Sequence, residues 1–178
     1  MVPLTDKVIL REPKLSELKE LVPLYQHAFT KHNVFKRDPK SILDYLQEQH
    51  HKNVPWGGGF IVAVMGNKVA GGILLKREGQ DLHGEHTLWG YNHLGVSKEV
   101  RGKGIGVSLM KEAENKIRVM IAEKKFKTAK VELNVSENEK EIITFYKKFG
   151  FSVEGKLRSH YRWKEVVYVM GKEISTFF

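Results

Sequence analysis

Three glycines within five residues constrain this chain more than any other feature: Gly102, Gly104 and Gly106 in VSKEVRGKGIGVSLMKEAENKI, residues 96–117. They stand where an apolar run, TLWGYNHLGV (residues 87–96), gives way to an amphipathic pattern. That pattern sets Leu109, Ala113, Ile117, Met120 and Ile121 on one face, so the spacing predicts a strand, a turn and a helix running to about Lys125. Glycine inside a helix costs about 1 kcal/mol relative to alanine, so this start needs bare backbone. A turn of this kind presents the unpaired N–H groups of a helix start, with the positive end of the helix dipole behind them. Arg101 and Lys103 add charge, and the whole reads as an anion site.

The rest of the chain supplies the frame. KVILREP reads as a strand, and KLSELKELVPLYQHAF as a helix with Leu18, Leu21, Val22, Tyr25 and Phe29 at helical spacing, Ser16 as its cap and Pro23 as a kink. A second helix begins near Pro39, with Ile42, Tyr45 and Leu46 on one side. Two apolar runs joined by Gly66-Asn67 form a hairpin signature; TAKVELNV is strand, EKEIITFYKKF is helix stopped by Gly150, and FSVEGKLR and EVVYVMGKEI are a last strand pair. Strand, two helices, three strands, helix, strand, helix and two strands describe an α/β or α+β fold with a mixed sheet, expected as one domain over residues 1–178.

Composition narrows the setting. The chain has no cysteine for a disulfide or thiolate metal site, no apolar run of membrane-spanning length and no secretory-type apolar start, so a cytoplasmic protein without a membrane partner is expected. Lys and Arg number 30 against 21 Asp and Glu, an excess that favours a polyanionic partner or a solvated lysine-rich surface. No metal is expected: HGEH (residues 83–86) lacks the H-E-x-x-H spacing. Ser97 and Ser108 have no evident His and Asp partners for a hydrolase triad, and Met110 and Met120 read as core.

Known phosphate motifs fit poorly. A P-loop needs Lys followed by Ser or Thr after its second glycine, and here Lys103 precedes Gly104; the dinucleotide fingerprint fails because Val107 stands where its third glycine belongs. LGVSKEVRGKGIGVSLM instead resembles the acetyl-CoA-binding segment of the GNAT N-acetyltransferase superfamily, [Q/R]-x-x-G-x-[G/A], filled by Arg101, Gly104 and Gly106. FYKKFGFSVEG (residues 145–155) looks like the family's second signature, and VVYVMGKEI like its usual last strand. The resemblance spans about Lys7 to Ile174. It implies a mixed, mostly antiparallel central sheet of about seven strands with flanking helices.

It also implies a reaction: transfer of an acetyl group from acetyl-CoA, as co-substrate, to a primary amine of a small molecule or protein. In the family the fourth and fifth strands part, and the pantetheine arm pairs with the fourth. Carried over, Leu94, Gly95 and Val96 would pair with the arm, while Arg101, Gly102, Lys103, Gly104, Ile105, Gly106 and Val107 would hold the pyrophosphate. Tyr146 occupies the place where the family commonly keeps a tyrosine acid, its other reading being a core aromatic beside Phe145 and Phe149. The family often draws its base from the fourth strand, but Leu94, Asn92 and Gly90 are no bases. His93 has suitable chemistry if a bulge turns it inward; Glu85, Glu99 or an ordered water are the alternatives. The family's asparagine seven residues before the tyrosine is Glu139 here, leaving Asn138 as a cofactor contact. The basic, aromatic segments AFTKHNVFKRDPK and RSHYRWKE suit an acidic or phosphorylated acceptor. Alternatives are a coenzyme-binding module without turnover and a basic nucleic-acid binder, the less expected partner; a homodimer is left open.

Overall fold

Apolar alternation builds the sheet. The computed structural model describes residues 7–175. It has seven strands, β1 (Val8–Arg11), β2 (Gly59–Met65), β3 (Lys68–Gln80), β4 (His86–Val96), β5 (Thr128–Ser136), β6 (Ser152–Arg158) and β7 (Val166–Ser175). Four α-helices accompany them, α1 (Leu18–Ala28), α2 (Pro39–Asn53), α3 (Ile105–Ala122) and α4 (Lys140–Lys148). The strands form one sheet in the order β1-β2-β3-β4-β5-β7-β6. β1–β2, β2–β3, β5–β7 and β6–β7 pair antiparallel and β4–β5 parallel, the mixed and mostly antiparallel sheet expected.

Local chemistry explains the ends. Pro39 opens α2 behind Asp38, whose Oδ1 accepts from the Ser41 amide at 3.0 Å. α1 starts differently from the expectation: no side-chain hydrogen bond caps it, Ser16 lies inside the 3-10 turn Leu15–Glu17 that precedes it, and the capping box of that turn is closed by Glu17. Its carboxylate accepts from the Lys14 amide at 2.7 Å and from Arg11 at 2.7 and 2.8 Å, so one anion answers both a free N–H and a cation. The Arg11 hydrogen bond holds the Glu17 pKa down at about 2. α1 runs through Pro23 without ending. Gly150, at φ 86°, stops the fourth helix in a left-handed conformation.

The chain divides into two compact units, one running to Lys76 and taking in Tyr91–Lys116, the other made of Arg77–Gly90 and the chain from Ile117 on. In the first, Leu18, Leu21, Val22 and Tyr25 of α1 and Ile42 and Leu46 of α2 pack with Phe60, Val62, Val64, Val69 and Leu74 of the β2–β3 hairpin. In the second, Ala129, Val131, Leu133 and Val135 alternate inward along β5 and join Met170 and Ile174 of β7 as buried residues. Trp89 is buried there too, with the Arg77 guanidinium 5.1 Å from its ring centroid. Met110 and Met120 are buried as expected. Among the described residues, no helix is long and apolar enough to cross a membrane.

Candidate functional site

The glycine-rich turn lies in the first unit. β4 pairs with β5 only from His86↔Thr128 to Gly90↔Glu132, and then runs on through Leu94, Gly95 and Val96. Ser97 donates its amide to the Ala70 carbonyl at 2.8 Å, holding the strand end to β3, and Arg101 Nε donates to the Val96 carbonyl at 3.3 Å. Gly102 and Gly104 stand at φ 79° and 78°, where a side chain is strained, yet a Cβ on either would meet nothing within 4 Å. The first helical hydrogen bond runs from the Ser108 amide to the Gly104 carbonyl at 3.0 Å. The amides of Ile105, Gly106 and Val107 therefore have no acceptor within the helix. Residues 101–104 are exposed, whereas the Ile105 side chain is buried and offers only its backbone. Open left-handed glycines, helix-start amides without a helical acceptor and two cations are the chemistry that a phosphate requires of a site.

Behind β4 the same unit is crowded. A Cβ on Gly95 would lie 2.9 and 3.0 Å from ring carbons of Tyr25 and 3.1 Å from Leu24, and one on Gly72 would lie 3.0 Å from the Tyr25 hydroxyl. A Cβ on Gly71 would meet the Gly95 carbonyl oxygen at 2.9 Å. Tyr25 is fully buried, and its hydroxyl has no hydrogen-bond partner among the described residues. The glycines of β3 and β4 thus let α1 lie against the sheet. Gly71 and Gly72 escaped the sequence reading, although glycine in mid-strand is the usual mark of a close approach.

His93 sits at φ 52°, a left-handed residue inside β4 that interrupts strict alternation. Its Nε2 shares a 2.8 Å hydrogen bond with the Tyr45 hydroxyl, and its ring packs among Tyr25, Phe29, His32 and Phe35 at centroid distances of 5.1–6.1 Å. Burial, helped by the charges of His32 and Lys76, lowers its pKa to about 3, so the imidazole is neutral across the physiological range. His32 is lowered by burial as well, and its Nδ1 accepts from the Val34 amide at 3.3 Å.

In the second unit Tyr146 is the buried residue of α4, 8% exposed, with its ring 5.4 Å from Phe145 and 5.7 Å from Phe151. Burial, and then the charge of Glu139, push its phenol up to about 12; it is protonated at any physiological pH and makes no hydrogen bond to the described residues. Asn138 is exposed just before α4, its amide donating to Ser136 Oγ at 3.4 Å, and Glu139 Oε2 accepts from the Ser136 amide at 3.3 Å. The other candidates are engaged locally: Glu85 with Lys127 at 2.6 Å, Glu99 with the Ser97 hydroxyl, and His86 Nδ1 with Thr128 Oγ1 at 2.8 Å. Among the described residues no group of three His, Cys, Asp or Glu side chains could hold a metal.

Comparison with known proteins gives three findings. The family model "Acetyltransferase (GNAT) domain" matches residues 56–153, more than half of the chain. No curated protein sequence matches. Among solved structures, a GNAT-family acetyltransferase from Streptococcus pneumoniae superposes with a TM-score of 0.68 at 18% identity, covering 95% of this chain and 100% of its own. A phosphinothricin acetyltransferase from Sinorhizobium meliloti, in complex with acetyl-CoA, gives 0.72 at 17% identity, covering 94% of this chain and 89% of its own. Arabidopsis thaliana Naa50, in complex with the bisubstrate analogue CoA-Ac-MVNAL, gives 0.66 at 23% identity, covering 94% and 99%. At these identities the structural likeness speaks for the fold.

Proposed function

The chain belongs to the GNAT acetyltransferase family, and from that premise we propose that it transfers the acetyl group of acetyl-CoA to a primary amine of a polypeptide or small molecule. The single observation that carries this reading is the open turn at 102–107. A Cβ on either left-handed glycine would meet no described atom within 4 Å beyond its chain neighbours, and the helix-start amides lack helical acceptors, which fits a diphosphate approaching bare backbone. Arg101 and Lys103 add cationic charge beside it, and Leu94, Gly95 and Val96, beyond the last β5 partner of β4, would pair with the amide-bearing arm. Asn138 would add a polar contact from the loop before α4. The bisubstrate analogue held by the Arabidopsis relative joins coenzyme A to a peptide, and this supports a polypeptide amine as one acceptor class.

Acetyl-CoA supplies an activated thioester. The acceptor must arrive as the free amine, although an alkylammonium with a pKa near 10.4 leaves only about one part in a thousand neutral at pH 7. Nitrogen then forms its bond to the carbonyl carbon, the carbon–sulfur bond breaks, and the departing thiolate takes a proton. Tyr146 is proposed as the donor: its phenol is neutral, unengaged and on the helix that carries the family's aromatic signature. His93 is the imidazole of the open half of β4. With a pKa of about 3 and its Nε2 on Tyr45, it can take up the amine proton only in passing, so water held by backbone groups is the proposed base beside it.

The test is mass spectrometry of a mixed panel of amines, peptides and aminoglycosides incubated with protein and acetyl-CoA. A gain of one acetyl group on an acceptor is expected; binding of acetyl-CoA with no product across the panel would favour the module without turnover. Tyr146→Phe should lower kcat on the order of 100-fold at saturating acceptor while leaving the KM for acetyl-CoA in place. An undiminished rate would remove Tyr146 from the mechanism.

A further inference from the structure

The turn joining β6 and β7, SHYRWKE (residues 159–165), displays aromatic rings to water. Trp163 is 83% exposed and Tyr161 60% exposed. The rings do not hang on a slack loop. Ser159 donates its amide to the Glu165 carbonyl at 2.7 Å, Glu165 to the Arg162 carbonyl at 3.1 Å, and the Lys164 amide to Ser159 Oγ at 3.0 Å. Ser159 and Lys164 hold left-handed conformations, φ 51° and 64°, that tighten the turn. Beneath it Glu165 is 8% exposed; its Oε1 accepts from Ser136 Oγ at 2.7 Å and from Arg162 at 3.2 Å. The Tyr161 hydroxyl accepts from Asn134 at 3.4 Å. A rigid scaffold presenting Trp and Tyr is the usual form of an interface anchor, because little entropy is lost on binding.

The charge that this turn shows to solvent has one sign. Its own carboxylate is buried and answered by Arg162, while Arg158 and Lys164 are exposed and make no ion pair with any described residue. The His160 ring meets Tyr161 edge-on at a centroid distance of 4.6 Å. We propose that this turn docks an acidic stretch of the acceptor polypeptide, with side-chain carboxylates on Arg158 and Lys164 and backbone or apolar atoms against Trp163. The inference rests on the acetyl-transfer reading and names its acceptor class. A cationic acceptor is repelled by the same charges. Single-stranded nucleic acid needs successive stacking platforms along a groove of phosphate contacts. Here one ring projects to solvent, the second is tied to Asn134 and His160, and only Arg158 and Lys164, without an ion pair among the described residues, are offered to an anion.

The test uses labelled peptides of identical first residue followed by three Glu, three Gln or three Lys. Binding is read by fluorescence anisotropy without coenzyme, and acetylation with acetyl-CoA. The Glu peptide should bind at least tenfold more tightly than the Lys peptide, and its acetylation should show the preference in KM rather than kcat. The surface variants Arg158→Glu with Lys164→Glu should abolish or invert that preference, and Trp163→Ala should weaken all three peptides. Equal affinity for the three peptides, or a charge-reversed variant that still prefers Glu, overturns the proposal; so does an oligonucleotide that displaces the Glu peptide at lower concentration. Acidic binding that follows the charge reversal without any acetylation would leave this surface standing and remove the catalytic reading. Acetylation blind to peptide charge would do the reverse.

Discussion

Two sets of glycines in the same unit exist for opposite reasons. Gly102 and Gly104 are glycine because the backbone is left-handed, and the space around them is empty. Gly72 and Gly95 have no such backbone demand; they are glycine because Tyr25 already fills the place a side chain would take. Empty space at a strained turn is what a ligand site needs, since the ligand supplies the missing neighbours. Filled space behind a strand is what keeps the strand still. The open half of β4 answers to both demands: its edge must be free to pair with a coenzyme, and α1 holds it from behind through Tyr25.

Substitutions should separate the two sets. The largest effect is expected at Gly95→Ala, where the added carbon must displace a buried ring. Overpacking of this kind costs about 2 kcal/mol or more, read as a lower urea midpoint at unchanged m-value. A midpoint equal to that of the wild type would show that Tyr25 does not brace β4.

Next comes His93, packed against the same tyrosine. Folding holds its pKa at about 3, below the 6.5 of the free side chain. The unfolded chain therefore takes up the proton first, and stability present above pH 6.5 is lost as pH falls toward 3. Between pH 7 and pH 5 the loss is about 2 kcal/mol from this group. His93→Asn, which tolerates the left-handed backbone, should remove that part of the slope and leave the contributions of His32 and His50, both also lowered by burial. A slope unchanged by the substitution would mean that the imidazole titrates normally.

At the open turn, Gly104→Ala should cost only about 1 kcal/mol of stability, the strain of a left-handed alanine. It should weaken acetyl-CoA by about tenfold, which corresponds to roughly 1.4 kcal/mol. A stability loss as large as that at Gly95 would erase the distinction between the two sets. The smallest effect is expected at Tyr25→Phe. The hydroxyl is buried without a partner among the described residues, so removing it should leave stability unchanged or raise it by up to about 1 kcal/mol. A clear loss on thermal unfolding would reveal a partner, such as an enclosed water.

The contrast also explains what the amino-acid sequence made legible. Element order and the glycine turn are local properties: Leu109, Ala113 and Ile117 declare a helix, Gly66-Asn67 a hairpin, and Gly102 and Gly104 a turn of bare backbone. The family signature across Arg101, Gly104 and Gly106 added the coenzyme. Tyr25 was legible only as an apolar position of α1, because its place over Gly72 and Gly95 depends on how a helix meets strands far away in the chain. His93 was ambiguous for a related reason: a single left-handed residue re-aims a strand without any glycine or proline to announce it. Ser16 does not cap α1 because the chain enters that helix through a 3-10 turn, whose Lys14 amide is taken by the Glu17 carboxylate that Arg11 of β1 also holds. Nothing in the basic segment RSHYRWKE announces that Glu165 is buried, and its place against Ser136 follows from the β5–β7 register.

The most direct measurement is the amide spectrum of isotope-labelled protein titrated with acetyl-CoA, followed residue by residue. The account predicts that the amides of Gly102 to Val107 shift and gain protection from exchange at saturation, while those of Gly71 and Gly72 stay where they are. Amides at 102–107 that remain unmoved while the coenzyme is bound elsewhere, or a coenzyme that does not bind at all, would contradict it.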